Sequence, residues 1–303
     1  MPKLLFLGSK QAGLLALKKV LEELPAEYLA GVLCPDDSGD ERSEQKAFIS
    51  LAAKYLIPLS IVKSSAQASE LIRHYEPDTV LVHGWYRMLA VSSFPRTRFL
   101  GFHFSLLPEY RGNAPLVWQI INGKERLGVS FFLMTDGMDD GEIVDQRAFS
   151  LGVSESVGDA IEKANALVLE MLDEFLPRWL AGSVVSRPQA VAPVSYCGLR
   201  LPIDGLIDWK ESPVRIHNFI RAQARPYPGA FSRMPDGRIL RFWKSEIEQR
   251  QFYGVPGSVV EISSGFVVIT CGSGALRILH AEIDGEVQPK IPHALCSLRL
   301  RLS

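Results

Sequence analysis

K-L-L-F-L, Lys3 to Leu7, runs into G-S at Gly8 and Ser9 and then into Q-A-G-L-L-A-L-K-K-V-L-E-E, Gln11 to Glu23. An apolar run without alternation reads as a strand buried on both faces, and Leu14, Leu15, Leu17 and Val20 carry helix spacing. The same alternation of types continues outward. Strands are predicted at Tyr28 to Leu33, Ile57 to Ile61, Thr79 to His83 and Phe99 to Phe104, with helices at Glu44 to Tyr55 and Ala66 to His74. Strands alternating with helices make an α/β fold around an open, mostly parallel sheet. Such sheets take ligands at the carboxyl ends of their strands, where Gly8, His83 and His103 fall.

Farther along, Gly128 to Leu133 and Ile143 to Leu151 flank the turn cluster T-D-G-M-D-D-G and read as a hairpin closing the same domain. Ser154 to Ala181 reads as one long helix. The proline-bearing stretch R-P-Q-A-V-A-P-V-S-Y-C-G-L-R-L-P then reads as a connector, dividing the chain into a first domain at 1–183, a linker at 184–204 and a smaller domain at 205–303. Ser212-Pro213 is a helix start that continues to about Ala222. Beyond it, short segments at Ser232, Arg238 to Trp243, Gly257 to Ile262, Phe266 to Cys271 and Ala275 to Ile283, separated by glycine turns, suggest a small antiparallel barrel.

The 303 residues carry 33 basic and 34 acidic side chains, a net charge of -1, which offers no bulk attraction to a polyanion. Cys34, Cys197, Cys271 and Cys296 form no C-x-x-C pair, so reduced thiols are expected and no metal site. M-P-K-L-L-F-L-G is too short for a signal-peptide core, and no apolar stretch is long enough to span a bilayer. A cytoplasmic protein with no membrane partner is the expectation.

Two clusters carry chemistry. In G-F-H-F-S-L-L-P-E-Y-R-G, Gly101 to Gly112, strand alternation sets His103 on the face opposite Phe102 and Phe104, at the start of a strand-end loop. The bland alternative is a satisfied core histidine. The second cluster, Asp136 to Glu142, holds carboxylates that suit a tight turn, yet one of them would reach a neighbouring histidine and orient its ring. Gly8 and Ser9 offer an anion cradle at a helix start, but without G-x-G-x-x-G they do not support a dinucleotide site.

The order H-F-S-L-L-P-E-Y-R-G-N-A-P, then R-L-G-V-S, then G-M-D-D-G-E-I-V resembles the formyltransferase family that uses 10-formyltetrahydrofolate. W-Y-R-M-L, D-G-L-I-D-W and R-P-Y-P-G-A-F extend the resemblance over nearly the whole chain. It implies a Rossmann-like first domain and a small β-barrel-like, OB-type second domain. It implies His103 and Asp139 as catalytic residues. It also implies a folate pocket around Arg87, Met88 and Leu89, the loop Ser105, Leu106, Leu107 and Pro108, and the turn with Asp140. The family carries asparagine where this chain has Gly101. A donor lost from an oxyanion site costs on the order of 100- to 1000-fold in rate unless replaced. Three readings stand: His83 or another group compensates, backbone N–H or water holds the oxygen, or the protein transfers a different group, transfers slowly or only binds a folate or sugar nucleotide.

For the acceptor, C-P-D-D-S-G-D-E-R-S-E-Q-K is acidic where tRNA-acting members carry a basic loop, which argues against tRNA. A small-molecule amine remains, in first place a nucleotide-linked amino sugar, with hydroxyornithine as the second reading and methionyl-tRNA as a third. Trp85, Tyr86, Tyr110 and Arg111, with Gly8 and Ser9, are the candidate substrate contacts. A homodimer is left open.

Overall fold

The computed structural model describes residues 1–284, 291 and 293–302. They divide into two compact units that do not follow chain order. One comprises Met1–Gly112, Gly128–Phe149 and Lys163–Tyr196, the other Asn113–Leu127, Ser150–Glu162 and Cys197–Ser303.

The first stretch of chain runs β1 (Leu4–Gly8), α1 (Lys10–Glu23), β2 (Leu29–Pro35), α2 (Gln45–Lys54), β3 (Leu59–Val62), α3 (Ser65–Tyr75), β4 (Thr79–His83) and β5 (Arg98–His103). It continues through β6 (Arg111–Gly112), α4 (Pro115–Ile121), β7 (Arg126–Leu133), β8 (Ile143–Ser150) and α5 (Val157–Leu180). The main sheet has the order β3-β2-β1-β4-β5-β7-β8. β1 to β5 run parallel and β7 pairs antiparallel to β5. This is the open, mostly parallel sheet that the unalternating apolar strands imply, with an antiparallel edge, and it matches the Rossmann-like first domain that the resemblance implies.

β1 and β4 are fully buried, and Leu5, Leu7, Val80 and Val82 share a core with Leu33, Val62 and Ile72. Burying one such side chain contributes about 1.5–3 kcal/mol, so a polar replacement in either strand would break the sheet at its centre. α3 starts where Ser64 accepts a hydrogen bond from the Gln67 N–H and stops where Glu76 turns left-handed.

Strand order reverses between β1 and β4, so the crevice outside their carboxyl ends is a topological switch point. Gly8 lies opposite His83 there. Gly84 follows at φ +73°, and a Cβ on it would run into the Ser9 carbonyl, so glycine is required.

The second unit is built on α6 (Pro213–Ala222), preceded by the two-residue β9 (Tyr196–Cys197) that pairs with β6. Its sheet of β10 (Ala230–Arg233), β11 (Ile239–Glu248), β12 (Val259–Ile262), β13 (Val267–Thr270) and β14 (Ala275–Ile283) is antiparallel, in the order β10-β11-β14-β13-β12. Bulges around Lys244 bend β11, the device by which a short sheet curls over one helix. Ile216 and Ile220 of α6 fill the concave core with Phe242, Ile269 and Ile278.

Residues 150–162 join this unit through polar contacts. His217 Nε2 donates to the Val153 carbonyl at 2.8 Å, and Arg221 Nη1 donates to the Gly152 and Glu155 carbonyls. Among the described residues no helix is long and apolar enough to cross a membrane.

Candidate active site

β5 delivers His103 to the carboxyl edge of the sheet, where the chain turns through Tyr110 at φ +57° and Gly112 at φ +97°. That turn aims the Tyr110 carbonyl at the imidazole, 2.7 Å from Nε2. A carbonyl only accepts, so Nε2 carries a hydrogen, and Nδ1 is the nitrogen free to take or release a proton. Nδ1 faces the Asp139 carboxylate at 3.5 Å. The ring is 8% exposed, enough for one edge to be reached.

The S-L-L-P turn beside it is locked from below. Ser130 donates to the Ser105 carbonyl, while its own oxygen accepts from the Leu107 N–H and from Gln146. Gln146 also donates to the Leu107 carbonyl at 2.8 Å, and Ser105, fully buried, donates to the Glu109 carbonyl. Leu107 packs with Phe132 and Ile143. The turn therefore reaches the site as a rigid wall.

Asp139 sits at φ +50°, a conformation that L-residues adopt only when the surroundings hold it. Its Oδ2 accepts from the Gly112 N–H at 2.7 Å, which turns the carboxylate toward the ring. The neighbouring acids serve the loop. Asp140 is exposed and takes a hydrogen bond from Thr135, and Asp136 accepts from Ser92, whose hydrogen bonds hold its carboxyl below the usual range. The carboxylate cluster thus separates into one acid that meets the histidine and others that shape the turn.

The 85–89 segment lies beyond β4. Trp85 donates from its indole to the Arg87 carbonyl and packs on the core with buried Leu89, whereas Tyr86 and Met88 are exposed. The Arg87 guanidinium stands over the Tyr86 ring at 5.5 Å, and its buried Nε has no partner. Lys10 stands 5.9 Å from the same ring but is committed to Asp37 at 2.7 Å and Asp40 at 2.9 Å. Burial disfavours its ammonium, yet the two aspartates outweigh burial and raise its pKa.

Residues 34–174 match the formyl transferase family model, and residues 202–297 match the model of the formyl transferase C-terminal domain. The methionyl-tRNA formyltransferase of Geobacter metallireducens is 32% identical over 231 residues, covering 76% of this chain and 73% of that protein. The chain belongs to the formyltransferase family. The Geobacter sulfurreducens methionyl-tRNA formyltransferase is 28% identical over 304 residues, 98% of this chain and 94% of its own. The fold is shared with a sugar 3-N-formyltransferase solved with dTDP and 5-N-formyl-THF, at a TM-score of 0.70 and 18% identity over 95% of this chain and 99% of that one.

Gly101 is the position where the resemblance implies an asparagine. It shares a face with His103, and a Cβ built on it would lie 3.0 Å from Met134 Sδ and 3.2 Å from Met134 Cγ. Met134 would have to give by a few tenths of an ångström to admit a side chain at 101. His83 does not compensate. Val82 pairs with Gly101, so the next residue of β4 projects to the opposite face, and the His83 ring packs edge-on against Phe102 and Phe104 at 5.1 and 5.5 Å. Both its nitrogens lack partners, and burial lowers its pKa to about 4.

Nor does the Gly8–Ser9 turn cradle an anion through Ser9. Its N–H and hydroxyl are spent on the carbonyls of His83 and Gly84, and the residue is 1% exposed. Close crossing of β1 and β4 consumes both donors.

The expected connector contributes what sequence reading missed. Gln189 Nε2 donates to the carbonyls of Asp139 (2.7 Å) and Gly141 (2.9 Å), and its Oε1 accepts from Arg111 Nη2 at 2.7 Å. Ser195 Oγ accepts from the Tyr110 N–H, and the Arg111 N–H donates to the Ser195 carbonyl. Proline spacing marked this stretch as a loop, and no local signal in it says which strand ends it touches. Tyr110 and Arg111 are therefore tied to the connector as well as to the site's rim.

Proposed function

We propose that the chain transfers the formyl group of 10-formyltetrahydrofolate to the amine of a small metabolite, in first place a nucleotide-linked amino sugar. The observation that carries the chemistry is the His103–Asp139 pair at the carboxyl edge of β5. In the transfer, the acceptor nitrogen bonds to the formyl carbon, the bond from that carbon to the donor nitrogen breaks, and one proton moves from acceptor to donor. His103 Nδ1 takes the acceptor's proton and returns one to the departing nitrogen, while Asp139 steadies the charged ring between the two events. The Trp85–Leu89 wall, with exposed Met88 and the unpaired Arg87 Nε, supports donor binding: apolar surface for a ring system and a guanidinium for its carboxylates. The Ser105–Pro108 turn, held by Ser130 and Gln146, is the second candidate wall for the donor.

The acidic loop supports a small acceptor. Asp36, Asp37, Asp40, Glu41 and Glu44 lie within it, and its Arg42 pairs with Asp40, as Lys10 pairs with Asp37 and Asp40. Cations so committed do not release phosphate counterions, the main source of affinity for tRNA. Methionyl-tRNA as acceptor moves ahead of hydroxyornithine to become the second reading, favoured by the names of the relatives at 28–32% identity.

The test is a transfer assay with purified chain and 10-formyltetrahydrofolate, read by mass. The acceptors are nucleotide-linked amino sugars, hydroxyornithine and aminoacylated initiator tRNA. A formyl gain on an amino sugar alone supports the first reading; a gain on tRNA alone overturns it and establishes the second.

A further inference from the structure

Gln189 lies in the stretch that the sequence marks as a connector, yet its amide is fully used inside the site. One end accepts from the guanidinium of Arg111, and the other donates to two carbonyls of the Asp139 loop. Only one orientation of the amide satisfies these partners. Turned over, its oxygen would face two carbonyl oxygens and its NH2 would face a guanidinium. Gln189 therefore spans the two segments that must meet for the reaction, the loop after β5 and the loop before β8.

We propose that Gln189 is a positioning residue for the His103–Asp139 pair; the proposal rests on the formyl-transfer reading above. Asp139 is held at φ +50° by two grips. The Gly112 N–H takes its carboxylate, and Gln189 takes its backbone carbonyl. Gly112 directly follows Arg111, which Gln189 holds with its other end. The two grips are thus one closed ring running from Asp139 through Gln189, Arg111 and Gly112 and back to the Asp139 carboxylate. Cutting the ring at Gln189 frees the loop to relax toward an ordinary backbone conformation, which carries the carboxylate away from Nδ1. The 3.5 Å spacing of that pair is already at the edge of contact, so a small displacement suffices to lose it.

The experiment compares Gln189→Ala and Gln189→Glu with the unmodified full chain. The glutamate keeps an acceptor for Arg111 but cannot donate to the two carbonyls, so both variants are expected to lose the grip on the loop. A misplacement of this size lowers kcat about 10- to 100-fold, with the KM for the formyl donor within about threefold and the melting temperature unchanged. Because Gln189 acts through Asp139, Gln189→Ala adds less than about twofold to the loss already caused by Asp139→Asn. Losses that multiply, or a kcat that stays unchanged in both variants, overturn the proposal.

A second measurement does not need turnover. The 15N resonances of the His103 ring are compared in the unmodified chain and in Gln189→Ala. They move if the carboxylate leaves Nδ1 and stay in place if Gln189 only fastens the connector, which overturns the proposal. This arm decides the matter even if the unmodified chain transfers no formyl group to any acceptor, an outcome that would sink the functional reading alone.

Discussion

His103 and His83 end neighbouring strands of one sheet, and both are at least nine-tenths buried. Their chemistry is opposite because a strand presents alternate residues to opposite faces. On one face, His103 has a carbonyl to fix its tautomer and a carboxylate beside its free nitrogen. On the other, His83 is wedged between Phe102 and Phe104, with neither nitrogen paired. His217 in the second unit is a third case, with one nitrogen on Ser245 and the other on Val153, leaving none for proton transfer. Burial and strand-end position therefore do not mark a reactive histidine. What marks it is one nitrogen satisfied and the other facing an acid.

The largest effect that this contrast predicts is at His103. His103→Ala should lower kcat by about 10²- to 10⁴-fold, the range of a lost acid–base group, with an unchanged circular dichroism spectrum. Retained activity would erase the distinction between the two faces. Next is Asp139→Asn, which keeps the shape but removes the charge; we expect a loss of roughly 10²-fold, read as kcat at saturating donor.

Gly101→Asn tests the packing of the reactive face. Crowding against Met134 should destabilise the chain by about 1–3 kcal/mol in denaturant unfolding and lower transfer, and Met134→Ala in the same chain should relieve both. A Gly101→Asn variant of full stability would mean that Met134 does not occupy that space.

The smallest effect on activity is at His83, where His83→Leu should leave transfer within about twofold. Its effect lies in acid stability. The folded ring has a pKa of about 4, below the ordinary value of 6.5, so the unfolded chain binds the proton more readily between those values. Stability from this group is complete above pH 6.5, is lost as pH falls toward 4, and the loss reaches about 3 kcal/mol. Unfolding curves of His83→Leu at pH 7 and pH 4.5 should differ less than those of the unmodified chain, since an apolar side chain there has no proton to bind.

Much of this fold was legible in the residues. The βα alternation from Lys3 to Phe104, the helix start at Ser212-Pro213 and the short strands beyond it all rest on local periods and caps. So did the face of His103, since Phe102 and Phe104 flank it in the chain. Three features were not legible. α4 lies between Gly112 and Gly128, a stretch for which no element is predicted, and residues 150–162 group with the second unit through His217 and Arg221, far away in sequence. His83 read as a partner for Gly101 because β4 and β5 are neighbours; the register, with Val82 opposite Gly101, turns it away.

The sequence by itself determined the sheet, the helices that cover it, the second antiparallel unit and the face of β5 on which His103 lies. Each follows from patterns that repeat within a few residues, and those patterns survive any arrangement of distant parts. Only the tertiary structure decided which carboxylate of the Asp136–Glu142 turn meets the ring, that Met134 borders Gly101, and that Gln189 ties the two loops together. These are contacts between segments 33 to 78 residues apart. Strand register and a left-handed backbone turn set them, and a one-residue change in either would exchange one partner for another.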